Sequence, residues 1–253
     1  MISKDVYWGD VDVFNEAHVL RTWVKKATTK EGRTQHRVMY YTPTLGQPAL
    51  VAADGYRIHA AWDVPKEVLL PSKRVSRTVA LIGASRRNKK VWQSAKAWLK
   101  DGNPMGELLS LCDDKAVCTV HPDELFRCGR QIERTYATDG LARSVYPVYL
   151  HFNRRASKLD VYDEFKRVGS LRAGYFGAST VPVVKLEAKY LLDALWVQHN
   201  EHEVTLAIAR HAGTDQSSMV GIGAWMHRYA LIMPLSMHAG RMPNELRAVL
   251  STS

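Results

Sequence analysis

The densest set of metal-capable side chains in the chain is His199-Asn200-Glu201-His202-Glu203. Zinc accepts such His nitrogens and carboxylate oxygens. HxxH, however, is not the HExxH spacing that sets two histidines on one helix face with a glutamate base. The segment falls where a helix should end in a polar loop, so it reads as a solvated turn. The sequence has no GxxxxGK[ST] phosphate loop, no GxGxxG turn and no GxSxG elbow. Gly221-Ile222-Gly223 reads as strand glycine, and no motif places a pair of carboxylates. Cys112, Cys118 and Cys128 lack CxxC spacing and read as inert, reduced thiols of a cytoplasmic protein. No catalytic residue, cofactor or metal ligand is assigned.

Charge is the stronger signal. The 253-residue chain carries a formal net charge of +10, which implies a polyanionic partner, either nucleic acid or an anionic membrane surface. Between Ser72 and Lys100 stand Lys73, Arg74, Arg77, Arg86, Arg87, Lys89, Lys90, Lys96 and Lys100, with no Asp or Glu among them. A solvated face normally mixes signs. The apolar runs are too short to span a bilayer, and Met1-Ile2-Ser3-Lys4-Asp5 opens no secretory signal.

The elements that must carry these charges follow from periodicity. A strand over Val6–Phe14 leads into a helix from Glu16 to Thr28, capped by Asn15, with Leu20, Trp23, Val24 and Ala27 as its core stripe. Strands are expected at Arg37–Thr42, Ala49–Ala53 and Tyr56–Trp62, the last two joined by the turn signal Asp54-Gly55. After a strand at Thr78–Ile82, a helix over Asn88–Lys100 places Lys89, Gln93, Lys96 and Lys100 on one face. Leu108–Cys112 and Ala116–Val120 read as a closing hairpin.

The pattern then begins again. Pro122 suits a first helical turn; Leu125, Phe126, Gly129 and Ile132 face inward, and Arg127, Arg130 and Arg134 outward. Strands are expected at Tyr146–Phe152, Leu159–Phe165 and Leu171–Phe176, a helix at Leu186–Gln198, and strands at Val204–Ala209, Met219–Trp225 and Tyr229–Met233. Two similar halves, each with two helices packed on antiparallel sheets, make an α+β protein. The expected domains are residues 1–116 and 117–238, followed by a tail, 239–253, with at most a short helix. Three of the four helices carry basic outward faces. The chain's last strand, in Tyr229-Ala230-Leu231-Ile232-Met233-Pro234-Leu235, is stopped by a proline that cannot donate a ladder hydrogen bond, with apolar side chains still to come.

Three pieces of this pattern resemble the bacterial DNA polymerase III β sliding clamps. Ala52-Ala53-Asp54-Gly55-Tyr56-Arg57-Ile58 is similar to the T-D-G-H-R-L turn of that family's middle domain. Lys189-Tyr190-Leu191-Leu192-Asp193-Ala194-Leu195 is similar to the Y-L-x-D-x-L helix of its last domain, and Tyr229–Leu235 to its ending Y-V-V-M-P-M. Order and spacing agree over residues 6 to 238. Tyr56 replaces the family's usual His, Ala53 its Thr and Leu235 its Met. Ala137-Thr138-Asp139-Gly140 copies the T-D-G letters beside a helix and is a decoy.

The resemblance implies the DNA clamp fold, no enzymatic activity, and a processivity factor that encircles duplex DNA without reading its sequence. Arg21, Lys25, Lys26, Lys89, Lys96, Lys100, Arg127, Arg130 and Arg134 then face phosphates from the helices, with Arg86 and Arg87 at the rim. A second site is implied between the halves, where Gly55, Tyr56, Arg57 and Ile58 meet Leu231, Met233, Pro234 and Leu235. There the short linear motifs of DNA polymerase and clamp loader would dock on an adaptable apolar surface. The family has three domains per subunit and closes as a dimer; this chain matches the last two. A ring of six domains then needs three copies, a homotrimer with head-to-tail interfaces, although a tetramer would close at a shallower angle. Ser236–Ser253 extends past the family's usual end and is expected to cover the pocket or the interface. The rival reading is a clamp-derived monomeric adaptor or decoy that binds clamp-motif peptides, or a resident clamp, without encircling DNA. A nucleic-acid enzyme ranks below both. Either clamp reading places the protein in a bacterial cytoplasm, as a bacterial or a phage protein.

Overall fold

The computed structural model describes residues 19–20, 22–24, 26–27, 38–42, 49–53, 56–62, 80–81, 116–138, 145–176, 183–198, 201–210, 218–224, 228–237 and 242–251. The chain divides into two units, Met1–Pro104 with Met226–Arg228, and Met105–Trp225 with Tyr229–Ser253. The strand expected at Val6–Phe14, the helix at Asn88–Lys100 and the strand at Leu108–Cys112 lie outside the described residues.

In the first unit, residues 19–26 are helical where described, Ala27 turns out of the helix, and Leu20, Trp23, Val24 and Ala27 are buried, as their spacing predicts. Strands β1 (Val38–Thr42), β2 (Ala49–Ala53), β3 (Arg57–Trp62) and β4 (Ala80–Leu81) form an antiparallel sheet in the order β4-β1-β2-β3. β2 and β3 pair in hairpin register, Ala53 opposite Ile58, across the Asp54-Gly55 signal. The helix is tied to β3 through its last turn. Ala27 N–H donates to the Val24 carbonyl, a tightened turn that leaves the carbonyls of Trp23 and Lys26 to find other partners. His59 Nδ1 lies 3.0 Å from the Trp23 carbonyl oxygen, and Arg57 Nη2 donates to that of Lys26 at 2.6 Å. Arg57 and His59 share one face of β3, and a cation suits the negative end of a helix. The His59 ring also stacks on Trp23 at 4.8 Å.

The second unit is built twice from one plan. Its first copy is β5 (Ala116–Val120), helix α1 (Pro122–Thr138), β6 (Pro147–Asn153), β7 (Lys158–Tyr162) and β8 (Arg167–Tyr175). Its second is β9 (Val183–Glu187), helix α2 (Ala188–Leu195), β10 (Val204–Arg210), β11 (Ser218–Ala224) and β12 (Arg228–Ile232). Strand order is β12-β11-β10-β5-β8-β7-β6-β9. The opening strand of each copy pairs in the other: β5 lies against β10, and β9 against β6. β8 bridges the two sheets, pairing β7 through Arg172 and β5 from Ala173 onward.

Two boundaries differ from the sequence reading. Ala116–Val120 does not close the first half; it opens the second unit, because its partners are β10 and β8. The helix expected from Leu186 starts at Ala188, and the apolar residues before it form β9. The stretch read as a tail carries helix α3 (Asn244–Ser251). Its Leu246 is buried with Tyr149, Tyr162 and Val183, and Met242 and Leu250 pack against that cluster. This face is opposite the one α1 covers. A Cβ on Gly169 would fall on the Cys128 sulfur of α1, while its neighbour Ser170 stands in the cross-strand row Ser170–Asp160–His151–Val183 on the other side.

Candidate functional site

α1 begins where Pro122 needs no N–H partner and Asp123 and Glu124 meet the positive end of the helix. Its inner face buries Leu125, Cys128, Gly129, Ile132 and Tyr136. Two glycines let it sit close. Gly129 lies under α2, where an added Cβ would come 3.0 Å from Leu192 Cδ2, and Gly169 lies under Cys128. Burial pushes the Cys118 thiol up to about 12 and raises Cys128 and Tyr136 in the same direction, so these groups stay protonated at neutral pH.

The packing leaves Arg127, Arg130 and Arg134 exposed. They line an open groove of about 610 Å³ that runs along the helix with Phe126, Gln131 and Thr135. Arg127 Nε donates to the Asp123 carbonyl at 3.3 Å. Arg130 Nη1 reaches Glu133 Oε2 at 2.6 Å, and its guanidinium stands 5.6 Å over the Phe126 ring. Phe126 is therefore half-buried at the edge of the groove, not in the core where the periodicity put it. The Arg130–Glu133 pair is solvated, so it holds the arginine only weakly. Glu133 makes the outward face of α1 mixed in sign and not purely basic.

Among the other cationic candidates, Lys26 is half-exposed near the helix end, with Arg57 on its carbonyl. Arg21, Lys25, Arg86, Arg87, Lys89, Lys96 and Lys100 lie outside the described residues, as does Gly55.

The apolar candidates divide by burial. Arg57, Ile58 and Leu231 are buried within their own units, at 1%, 8% and 2% exposure. Arg57 thus serves the helix end and offers almost no open surface. Tyr56 and Met233 are each 42% exposed, and Pro234 and Leu235 are half-buried. β12 ends one residue before Met233, because Pro234 cannot continue a ladder. Leu235 N–H then donates to the Lys185 carbonyl of β9 at 2.8 Å, which fixes the segment that presents Met233.

One constellation invites an enzymatic reading. Asp160 Oδ1 accepts from Ser170 Oγ at 2.5 Å, Asp160 Oδ2 accepts from Asn153 at 3.3 Å, and His151 Nδ1 lies 3.4 Å from that same oxygen. A nucleophilic triad needs the histidine between serine and carboxylate. Here the carboxylate is in the middle, so the row braces three strands. His199 and Asn200 lie outside the described residues. No cluster of His, Cys, Asp and Glu suited to a metal ion occurs among the described residues, and no described helix is long and apolar enough to cross a membrane.

This arrangement of helices and paired four-strand sheets is the α+β fold of the DNA sliding clamps. The chain is similar to Caulobacter crescentus pol III beta, at 15% identity and a TM-score of 0.57, over 88% of this chain and 65% of that one. It is similar to the DNA polymerase III subunit beta of Pseudomonas aeruginosa, at 12% identity and a TM-score of 0.56, over 88% and 65%. A Bartonella birtlesii sliding clamp bound to griselimycin gives 12% identity and a TM-score of 0.52, over 89% and 65%. The chain spans just under two thirds of the length of these structures. No protein-family model matches it, and no curated protein matches it by sequence.

Proposed function

We propose that the protein is a subunit of a DNA sliding clamp, a processivity factor that encircles duplex DNA in the cytoplasm of a bacterium or phage-infected bacterium and performs no chemistry of its own. The observation that carries this reading is the α1 face, with exposed Arg127, Arg130 and Arg134 along one groove of a clamp fold. Mobile guanidiniums aimed at phosphates attract DNA without reading bases, and each contact is weak enough to exchange as the ring slides. The candidates outside the described residues extend this wall in the proposal. Three copies of the two units close a ring of six, which is the homotrimer we propose. Exposed Tyr56 and Met233, with Pro234 and Leu235, are the residues we assign to docking the linear motifs of polymerase and loader.

The test is duplex affinity against salt for the Arg127→Ala/Arg130→Ala/Arg134→Ala variant. Each phosphate contact contributes about 0.9 to the log–log slope, so the variant should flatten it by roughly 2 to 3 and bind at least tenfold more weakly at low salt. An unchanged slope would remove α1 from the DNA surface.

A further inference from the structure

A second basic surface lies outside α1, at the end of the β6–β7 hairpin. Asn153-Arg154-Arg155-Ala156-Ser157-Lys158 turns the chain there, with Ser157 held at a φ of 52°. Lys158 stands directly opposite Arg172 on β8. Like charges facing each other across a strand pair oppose folding. Arg155, Lys158 and Arg172 are all exposed, and no hydrogen bond or ion pair to an acid engages their side chains among the described residues. Asp160, two residues along β7 from Lys158, is taken up by Ser170, Asn153 and Arg167. The patch retains its repulsion because nothing within the described fold neutralises it.

Two aromatic residues at the end of β8 are tied to this hairpin. Tyr175 Oη donates to the Lys158 carbonyl at 2.6 Å, and the Arg154 guanidinium lies 5.5 Å over the Tyr175 ring. The next residue, Phe176, is 48% exposed although its backbone is pinned on both sides. Its N–H donates to the Val117 carbonyl, and its own carbonyl accepts from Arg154 Nη2, both at 2.9 Å. An open phenyl ring on the segment that follows Arg172, tied through Arg154 to the hairpin that carries Arg155 and Lys158, is a combination suited to unpaired nucleotides. The cations hold the backbone, and the ring takes a base face that a duplex would keep stacked.

We propose that this hairpin end is a contact for single-stranded nucleic acid, carried by Arg155, Lys158, Arg172 and Phe176. The site goes beyond duplex tethering and needs neither a closed ring nor the α1 face. A fluorescein-labelled oligothymidine, followed by anisotropy across a salt series, tests it on the full chain. Replacing Arg155, Lys158 and Arg172 together with Gln should weaken binding about tenfold or more and flatten the slope by roughly 2, at about 0.7 per contact on single strands. Phe176→Leu should weaken binding about fivefold or more and leave the slope unchanged, because stacking releases no counterions. The α1 triple variant should still bind oligothymidine. Wild-type affinity and slope in the Gln variant would overturn the site. Full affinity in Phe176→Leu would overturn the single-stranded partner. Loss only in the α1 variant would return all binding to that helix. Matching thermal melts verify that each variant is folded.

Discussion

α1 and α2 occupy the same slot in the two copies of one plan, each following the opening strand of its copy, and they do opposite things. α1 is 17 residues long and turns a row of arginines outward. α2 is 8 residues long, and all of it is buried except Lys189, which is half-exposed. Leu191 and Leu192 of α2 fill the space that Gly129 leaves on α1. One helix of the pair is the core on which the other rests, so the α1 face proposed for DNA depends on a helix to which the proposal gives only a supporting role.

The largest effect should come from removing that support. Leu191→Ala deletes a side chain with 0% exposure and should cost about 2–5 kcal/mol in chemical denaturation. It should weaken DNA association only in proportion to the fraction unfolded. Loss of DNA binding in a fully folded Leu191→Ala protein would show that this packing sets the position of the α1 arginines as well as the stability of the fold.

Alkaline pH should act next, and it targets the buried side of α1 and the strand before it. Cys118, Cys128 and Tyr136 all have pKa values raised by desolvation. Unfolding releases a proton from each once the pH passes its ordinary value, so the unfolded state binds fewer protons and stability falls as pH rises. For Cys118 the window runs from 9.0 to about 12. Each such group contributes a loss of about 1.4 kcal/mol per pH unit within its window. Cys118→Ala should flatten the decline by that amount in a denaturation series, and a pH-independent stability above 9.0 would contradict the assignment.

The smallest effect sharpens the contrast between the two helices. Lys189→Ala removes the cation of α2 and should change duplex affinity less than about twofold, with the salt slope unaltered. A surface charge away from the ligand does little. A slope reduced by about 0.9 would put α2 on the DNA as well.

What the sequence disclosed follows the range of the interactions involved. The helical periods of Leu20–Ala27 and Leu125–Ile132, and the alternating strands around Asp54-Gly55, are local patterns, and they are where they were expected. The outward set Arg127, Arg130 and Arg134 is legible for the same reason. β5 reads locally as the end of a hairpin because its partners, β10 and β8, are distant in sequence, and His121-Pro122 between β5 and α1 looks like a boundary. Nothing in the sequence punctuates the start of α2. Glu187 is extended, with a ψ of 129°, and makes no side-chain cap, so strand and helix join without a breaker. Glu133 stands one turn along from Arg130, where the spacing of the arginines alone does not disclose it. The burial of Arg57 depends on carbonyls freed by a tightened helix end, which no spacing rule announces.

The proposed clamp must close into a ring, and the mass of the purified protein in solution reports closure. Light scattering across a dilution series should give a stable mass of three times the 28.6 kDa chain. A mass of one chain at every concentration would contradict the self-assembled clamp and leave the adaptor reading in its place.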